Sequence, residues 1–490
     1  MTRIYTMLFF ILLVSTSSIA QNIQTNYIQS NHLGKEMSYR VSLPSNYSES
    51  KVYYPIFLLD GEQLFYSAIS SSVISSIHDS SPEALIISID YAIPYNREEI
   101  GFNPNSLTLT SRGKLFQRYI TEELIKDVIS KYNISENRTI IGYSYTASYL
   151  LTLMGNYPES FNNYIMITPE VVSRNVDDYL AKITPNLKNS RFICITAQHD
   201  AKSRIRAGKK IYDSLKLANK DLSQYKMIAN ANHTSVLYSA TGVAIPLLFR
   251  DYINEDKLVK MYSSKKSLAT TSQDLFTNSN RLNMMNYGVP LKLNSGNMIF
   301  LMDRAIEAEN NSDMAKSLLL PFLDEAVKEE DLLQVSNIIY YLNSLGHRDK
   351  SDSLYRWGIT VSDKKNNIMK SFNIRMNYAR DILVKQDSNY EEACEVLDGI
   401  VSDISDLYQG IILYFKGEIS ANYSYNNEQG IACLKLSQEY LKELSQWGIG
   451  EERIYILIAK CYNNLGDKEK AQSYIQKAKL IAPNMKLPQL

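Results

Sequence analysis

The stretch Thr139-Ile-Ile-Gly-Tyr-Ser-Tyr-Thr146 decides how the chain is read. A β-branched run leads into Gly142 and Ser144, and an apolar helical pattern follows from Ala147 to Met154. A strand that turns sharply into a helix holds the residue at the turn on an exposed elbow. Gly142 permits the close approach such a turn requires. The helix that follows aims the positive end of its dipole at negative charge developing beside the serine. The G-x-S-x-G pattern of such elbows has a second glycine where this chain has Thr146. A larger residue there is expected to crowd the turn.

Working outward, short apolar runs alternate with amphipathic helical patterns from residue 22 to about 250. Strands are predicted at Met37–Leu43, Tyr54–Leu59, Ala84–Asp90, Thr139–Ile141, Tyr164–Ile167, Phe192–Thr196 and Tyr225–Ala229. Helices are predicted at Leu115–Lys131, Ser144–Met154 and Arg204–Leu217. Such alternation predicts an α/β fold with a mainly parallel sheet covered on both faces. Residues 255–297 are polar and rich in Ser and Asn, and read as a linker or poorly packed connector. From 298 to 490 nearly everything carries a helical period. Ala393, Ala432 and Ala471 recur 39 residues apart, and Gly346 and Ser351 repeat the spacing of Gly466 and Ala471. The last unit resembles a tetratricopeptide repeat at Tyr455, Ile458, Ala459, Tyr462, Gly466, Ala471, Ile475, Ala478 and Pro483. Three or four helix pairs stacked as a short solenoid are the expectation.

Partners for Ser144 are sought downstream. Asp200 closes the predicted strand Phe192–Thr196, at a strand end where open α/β sheets place their sites. His233 lies in the loop Ala229-Asn-Ala-Asn-His-Thr-Ser-Val and precedes a predicted helix, Val236–Tyr252. Of the five histidines, His32 and His78 precede the serine and His347 lies among the repeats. His199 is left as the rival, and His233 has the better loop context. Glu170 is the rival acid to Asp200. A serine hydroxyl becomes a useful nucleophile when a neutral imidazole takes its proton and a carboxylate orients that imidazole. The oxyanion then needs two backbone N–H donors. Tyr145 supplies one, and Gly61 or its neighbour Glu62, after the strand Tyr54–Leu59, supplies the other.

A family resemblance accompanies these residues. Tyr39-Arg40-Val-Ser-Leu-Pro44, Tyr47 and Tyr54-Pro-Ile-Phe-Leu-Leu-Asp-Gly61 resemble the opening of the esterase D-like, siderophore esterase-like group of α/β-hydrolases. That group includes siderophore trilactone esterases and S-formylglutathione hydrolase. Asn96-Arg97, Pro104, Phe116 and Tyr119-Ile-Thr-Glu-Glu-Leu124 ahead of the elbow are similar too, as are Tyr157-Pro-Glu-Ser-Phe161 and Ile167-Thr-Pro169 after it. The resemblance covers residues 25–250. It implies an α/β-hydrolase domain over residues 21–254 that hydrolyses carboxylic esters without metal or organic cofactor, with Ser144, Asp200 and His233 as the catalytic triad. Tyr145 and Arg97 are candidates to meet an aromatic or anionic part of the substrate; a packing ring and a surface charge are the plainer alternatives. A small-molecule or glycan ester is the expected substrate. The repeats suggest a protein or peptide partner or a role in substrate access. A competing reading makes the hydrolase domain a catalytically impaired support for an interaction module.

Composition narrows the rest. Lys and Arg number 52 against 52 Asp and Glu, so no basic excess points to nucleic acid. Hydrophobic residues make up 45% and charged residues 21%, an ordinary globular balance. Tyr is unusually abundant at 36. Residues 1–20 read as a cleaved secretory signal, with Arg3, the apolar run Met7–Val14 and small residues ending at Ala20. Export to the periplasm or the cell exterior follows as an expectation, with no transmembrane segment in the mature chain. Cys194, Cys394, Cys433 and Cys461 form no CxxC pair and read as buried thiols rather than metal ligands.

Overall fold

The computed structural model describes residues 22–483 apart from 46, 90–99, 172–175, 188–189, 218–222, 255, 259, 261–270, 292–300, 303, 306–311, 329, 331 and 401–405. The residues of the expected secretory signal lie outside the described residues, as does Arg97. The chain divides into two compact units, one ending at Leu301 and the other beginning at Met302.

The first unit is built on an eight-stranded sheet. Its strands are β1 (Asn22–Ser30), β2 (Lys35–Leu43), β3 (Tyr54–Leu58), β4 (Ala84–Ile89), β7 (Thr139–Tyr143), β8 (Asn163–Ile167), β9 (Arg191–Ala197) and β10 (Gln224–Ile228). A two-stranded hairpin, β5 (Phe102–Asn103) and β6 (Thr108–Leu109), stands apart. The order is β1-β2-β4-β3-β7-β8-β9-β10. β2 is antiparallel to β1 and β4, and every neighbour pair from β4 across to β10 is parallel. The apolar runs become central strands because both faces of the sheet are covered. Phe57, Ile87, Ile140, Tyr164 and Phe192 point into one core; Ile56, Ile86, Ile141, Ile165 and Ile193 point into the other. Each such side chain taken from water contributes on the order of 2 kcal/mol before entropy is counted.

The helices are α1 (Gly61–Ile77), α2 (Ser111–Arg118), α3 (Ile125–Lys131), α4 (Tyr145–Asn156), α5 (Val176–Ile183), α6 (Lys202–Leu215) and α7 (Leu237–Leu248). A π-helical turn, Tyr119–Leu124, joins α2 to α3. It carries Glu122 and Glu123, which hold the β1–β2 turn. Glu123 accepts the backbone N–H groups of Asn31 and His32 and the Ser30 hydroxyl, and Glu122 lies 2.9 Å from Nε2 of His32. That grip and the full pairing from Asn22↔Leu43 to Ser30↔Lys35 explain an edge strand whose polar sequence gave no strand signal.

One expectation is corrected here. The 255–297 connector contains a capped helix, Ser272–Tyr287, with a reciprocal Thr271–Asp274 capping box and Gly288 in the left-handed conformation at its end. Its Tyr287 is buried against Tyr54, Phe249 and Tyr252, with ring centroids 5.4–6.2 Å apart. Ser135 donates to the Tyr287 carbonyl at 2.6 Å, and Arg191 donates to its hydroxyl at 3.2 Å. Polar composition hid a helix whose apolar contacts rest on a few large residues.

The second unit is helical. Successive helices from Ser312–Lys328 through Leu332–Ser344, Arg348–Lys364 and Ile368–Asn377 pack on their neighbours, as do Asp406–Tyr423, Asn427–Ser437, Glu451–Asn464 and Lys468–Ile481. The 39-residue period does not describe their packing, because Ala393 and Ala471 are buried but Ala432 is exposed. What recurs is a small buried residue four places after the residue that starts a helix. Ser351, Ser371, Ala393, Gly430 and Ala471 each donate their N–H to the carbonyl of His347, Asn367, Asn389, Asn426 and Asp467. At Gly430 a Cβ would meet the Ser420 side chain at 2.2 Å, so the smallest residue sits at a close approach of two helices. Among the described residues, no helix is long and apolar enough to cross a membrane. All four cysteines are free thiols; burial pushes Cys194 up to about 12 and Cys394 and Cys461 up to about 11.

Candidate active site

Ser144 stands between β7 and α4 at φ 56° and ψ −110°. This is a strained conformation for a residue with a Cβ, and its appearance at a strand–helix turn matches an elbow that presents a nucleophile. Its N–H donates to the Ile167 carbonyl at 2.8 Å, fixing the turn to the end of β8. Gly142 is required sterically: a Cβ there would lie 2.8 Å from the backbone of Thr146 and Ala147. Thr146, where crowding is expected, lies packed against the turn. Its side chain is buried and its hydroxyl bonds to the carboxylate of Asp60.

Two adjacent strand ends deliver the partners. After β9, Gln198 and His199 donate backbone N–H groups to the carbonyls of Ile228 and Ala231 at 3.0 and 2.8 Å. These bonds tie the turn that bears Asp200 to the loop that bears His233. Asn232 shapes that loop, its side chain accepting from the N–H groups of Thr234 and Ser235 at 3.0 and 2.8 Å. As a result His233 Nε2 lies 3.0 Å from Ser144 Oγ, and its Nδ1 lies 2.8 Å from Asp200 Oδ2. The carboxylate is only 2% exposed, whereas the imidazole is 27% exposed and so can be reached from outside. The Tyr143 ring stacks on the imidazole at 5.1 Å, and its hydroxyl donates to the His233 carbonyl at 2.7 Å.

Of the rivals, His199 takes part through its backbone, and Glu170 pairs with Arg204 at 3.5 Å. Arg204 is the residue that sequence reasoning missed. Its guanidinium donates to Asp200 Oδ1 at 3.1 Å, and the Ala201 N–H donates to the same oxygen at 2.7 Å. One carboxylate oxygen is thus held by α6 and the other is left for the imidazole. The spacing of Asp200 and Arg204, four residues across a helix start, was the available signal. Thr168, within the family-like stretch Ile167-Thr-Pro169, lies 3.3 Å from His233 Nδ1, a contact its position in the chain did not announce.

The two residues expected to supply backbone donors begin helices at neighbouring strand ends. Gly61 opens α1 directly after β3, and Tyr145 opens α4 directly after β7, its partner in the sheet. First-turn N–H groups have no acceptor within their own helix and carry the positive end of its dipole. The Tyr145 side chain turns elsewhere. Its hydroxyl bonds to the Phe102 carbonyl and accepts the Phe102 N–H at 3.1 Å, and its ring packs edge-on against Phe102.

A mainly parallel α/β sheet with a strained serine elbow defines an α/β-hydrolase-type arrangement, and comparison with known proteins agrees with it. Residues 30–208 match the model of the family described as "Putative esterase", which supports an esterase-type hydrolase relationship for the first unit. A curated relative, the uncharacterized protein YjcH of Bacillus subtilis (strain 168), is 29% identical over 154 residues. The match takes in 30% of this chain and spans 62% of the relative's length. Among solved structures, an IroE-like serine hydrolase from Shewanella oneidensis aligns at 16% identity and a TM-score of 0.46, over 60% of this chain and 97% of its own. The BES protein from Bacillus cereus aligns at 20% identity and a TM-score of 0.41, over 48% and 98%. An uncharacterised protein from Capnocytophaga ochracea aligns at 14% and 0.47, over 69% and 94%. With TM-scores below 0.5, these likenesses stand beside the geometry and bear none of its weight.

Proposed function

We propose that the first unit is a serine esterase in which Ser144, His233 and Asp200 act as a triad. The observation that carries this reading is the unbroken hydrogen-bonded chain from the elbow hydroxyl through both imidazole nitrogens to a buried carboxylate. In the reaction, Oγ of Ser144 attacks the ester carbonyl while Nε2 of His233 takes the hydroxyl proton. Asp200 orients the imidazole and stabilises the imidazolium that forms. The N–H groups of Tyr145 and Gly61 receive the oxyanion. Collapse returns the proton to the departing alcohol and leaves an acyl-enzyme. Water, deprotonated by the same imidazole, then releases the acid.

The substrate is proposed to be a small-molecule or glycan ester outside the cytoplasm, following the secretory signal read in residues 1–20. The helical unit is proposed to be a tetratricopeptide-like module that shapes access or docks a protein partner. A fluorophosphonate probe tests the central claim. Labelling of the wild type and none of Ser144→Ala is expected; an unlabelled wild type would refute the esterase reading.

A further inference from the structure

Resting on the esterase reading, we propose that Thr146 is a positioning residue of the oxyanion hole, whose hydroxyl fastens its two halves together. The two donors belong to different segments. Gly61 follows β3 and Tyr145 follows β7, and an oxyanion gains from both only when their N–H groups converge on one point within a few tenths of an ångström. The β3–β7 ladder does not reach that far. Its last Cα pair is Leu58↔Ile141, followed by the Leu59 N–H donating to the Ile141 carbonyl at 3.0 Å.

Beyond that point side chains continue the connection. Oδ2 of Asp60 accepts the Tyr143 N–H at 2.9 Å, standing in for the strand that has ended. The Thr146 hydroxyl bonds to the same Oδ2, and its oxygen accepts the Tyr143 N–H at 2.8 Å. Asp60 is the residue before Gly61 and Thr146 is the residue after Tyr145, so the bond spans both donors. A hydroxyl has one proton, and the Tyr143 carbonyl at 2.9 Å competes for it. The carboxylate wins, because a charge-assisted bond in a buried place is the stronger one. Asp60 is 5% exposed and Thr146 fully buried. Gly61 is itself confined, since a Cβ there would fall 1.7 Å from Oγ of Ser88. The glycine of the usual elbow has no hydroxyl and cannot make this tie. The departure from the pattern is therefore a device, not damage.

The test uses the full chain and needs no knowledge of the natural substrate. When a fluorophosphonate reacts, Oγ of Ser144 bonds to phosphorus, fluoride leaves, and the serine proton passes to His233. The phosphoryl oxygen takes the oxyanion's place, so the second-order labelling rate reads the oxyanion hole. Thr146→Val keeps the volume and loses the hydroxyl, and Thr146→Ser does the reverse. The labelling rate is expected to fall on the order of tenfold to a hundredfold in Thr146→Val and Thr146→Gly, and to return within about threefold of wild type in Thr146→Ser. The final extent of labelling counts folded sites, and rates are compared per labelled site. If Thr146→Val does not fold, Thr146→Gly against Thr146→Ser decides the matter. A labelling rate in Thr146→Val or Thr146→Gly equal to wild type overturns the proposal. So does a Thr146→Ser protein as slow as the other two, which would mean that packing matters and the hydroxyl does not. A wild type that is never labelled fails at the earlier step, and this separates failure of the esterase reading from failure of the tie.

Discussion

The two units place left-handed backbone in different settings. In the first, Ser144 and Thr168 have φ of 56° and 42°, are buried, and sit at the C-terminal ends of the adjacent strands β7 and β8. In the second, Asn366, Ser388, Ser424 and Asn426 have φ between 42° and 56° and lie exposed in turns between helices. Gly346 and Gly466, both at φ 81°, end helices in the same unit. The helical unit uses this conformation as an ordinary helix stop, where small or polar residues tolerate it. The sheet unit also has it in turns, at Asp79 and Asn230, but at Ser144 and Thr168 it holds it under packing beside His233. Strain enforced by packing is not by itself a mark of function, since buried Leu107 also has φ 55°; at Ser144 it coincides with a hydroxyl bonded to an imidazole.

The comparison can be broken most decisively at Ser144. Replacing it with Gly removes the nucleophile and relaxes the turn together. Ester hydrolysis is expected to fall on the order of 10⁴-fold or more. Stability to denaturant should stay level or rise by about 1 kcal/mol, as strain relief offsets the entropy of a glycine in the unfolded chain. A large loss of stability in that variant would show that the turn is not strained. Arg204→Met comes next. It leaves Asp200 Oδ1 with only the Ala201 N–H, and kcat/KM should drop about tenfold while the thermal midpoint moves little. An unchanged kcat/KM would make Arg204 a bystander. The smallest effect is expected at Asn366→Gly in the helical unit. Asn already tolerates the left-handed region, so a gain of only a few tenths of a kcal/mol, with no change in hydrolysis, should appear in equilibrium unfolding.

The sheet and the elbow were legible because their signals are local. Runs such as Phe192–Thr196 must be buried on both faces, and Gly142-Tyr-Ser144 between a strand and a helix has few other uses. The meeting of Asp200 and His233 was legible only as chain order and loop context; their contact depends on bonds between two turns that no local pattern announces. Of the elements that escaped, three did so for separate reasons. β1 is an edge strand with a polar sequence. The helix Ser272–Tyr287 hides its few apolar anchors among Ser and Asn. α1 contains the run Ser70-Ser-Ser72, which weakens a helical signal that burial of Leu64, Phe65, Ala68 and Ile69 restores. At Thr146 the missing glycine drew attention to volume, whereas the bond its hydroxyl makes to Asp60 depends on a residue 86 positions away.

The docking of Tyr287 bears on where the molecule can be cut. A polypeptide stopped at 254 would retain all three residues of the proposed triad and yet lay bare the aromatic floor formed by Tyr54, Phe249 and Tyr252. It would also leave the buried backbone of Ile253 without Asn283, which both accepts its N–H at 2.9 Å and donates to its carbonyl at 3.2 Å. Such a fragment should clump on expression, whereas one carried through Leu291 keeps its own stopper. A fragment made to test the proposed esterase should therefore run through Leu291, about forty residues past the helix that follows His233.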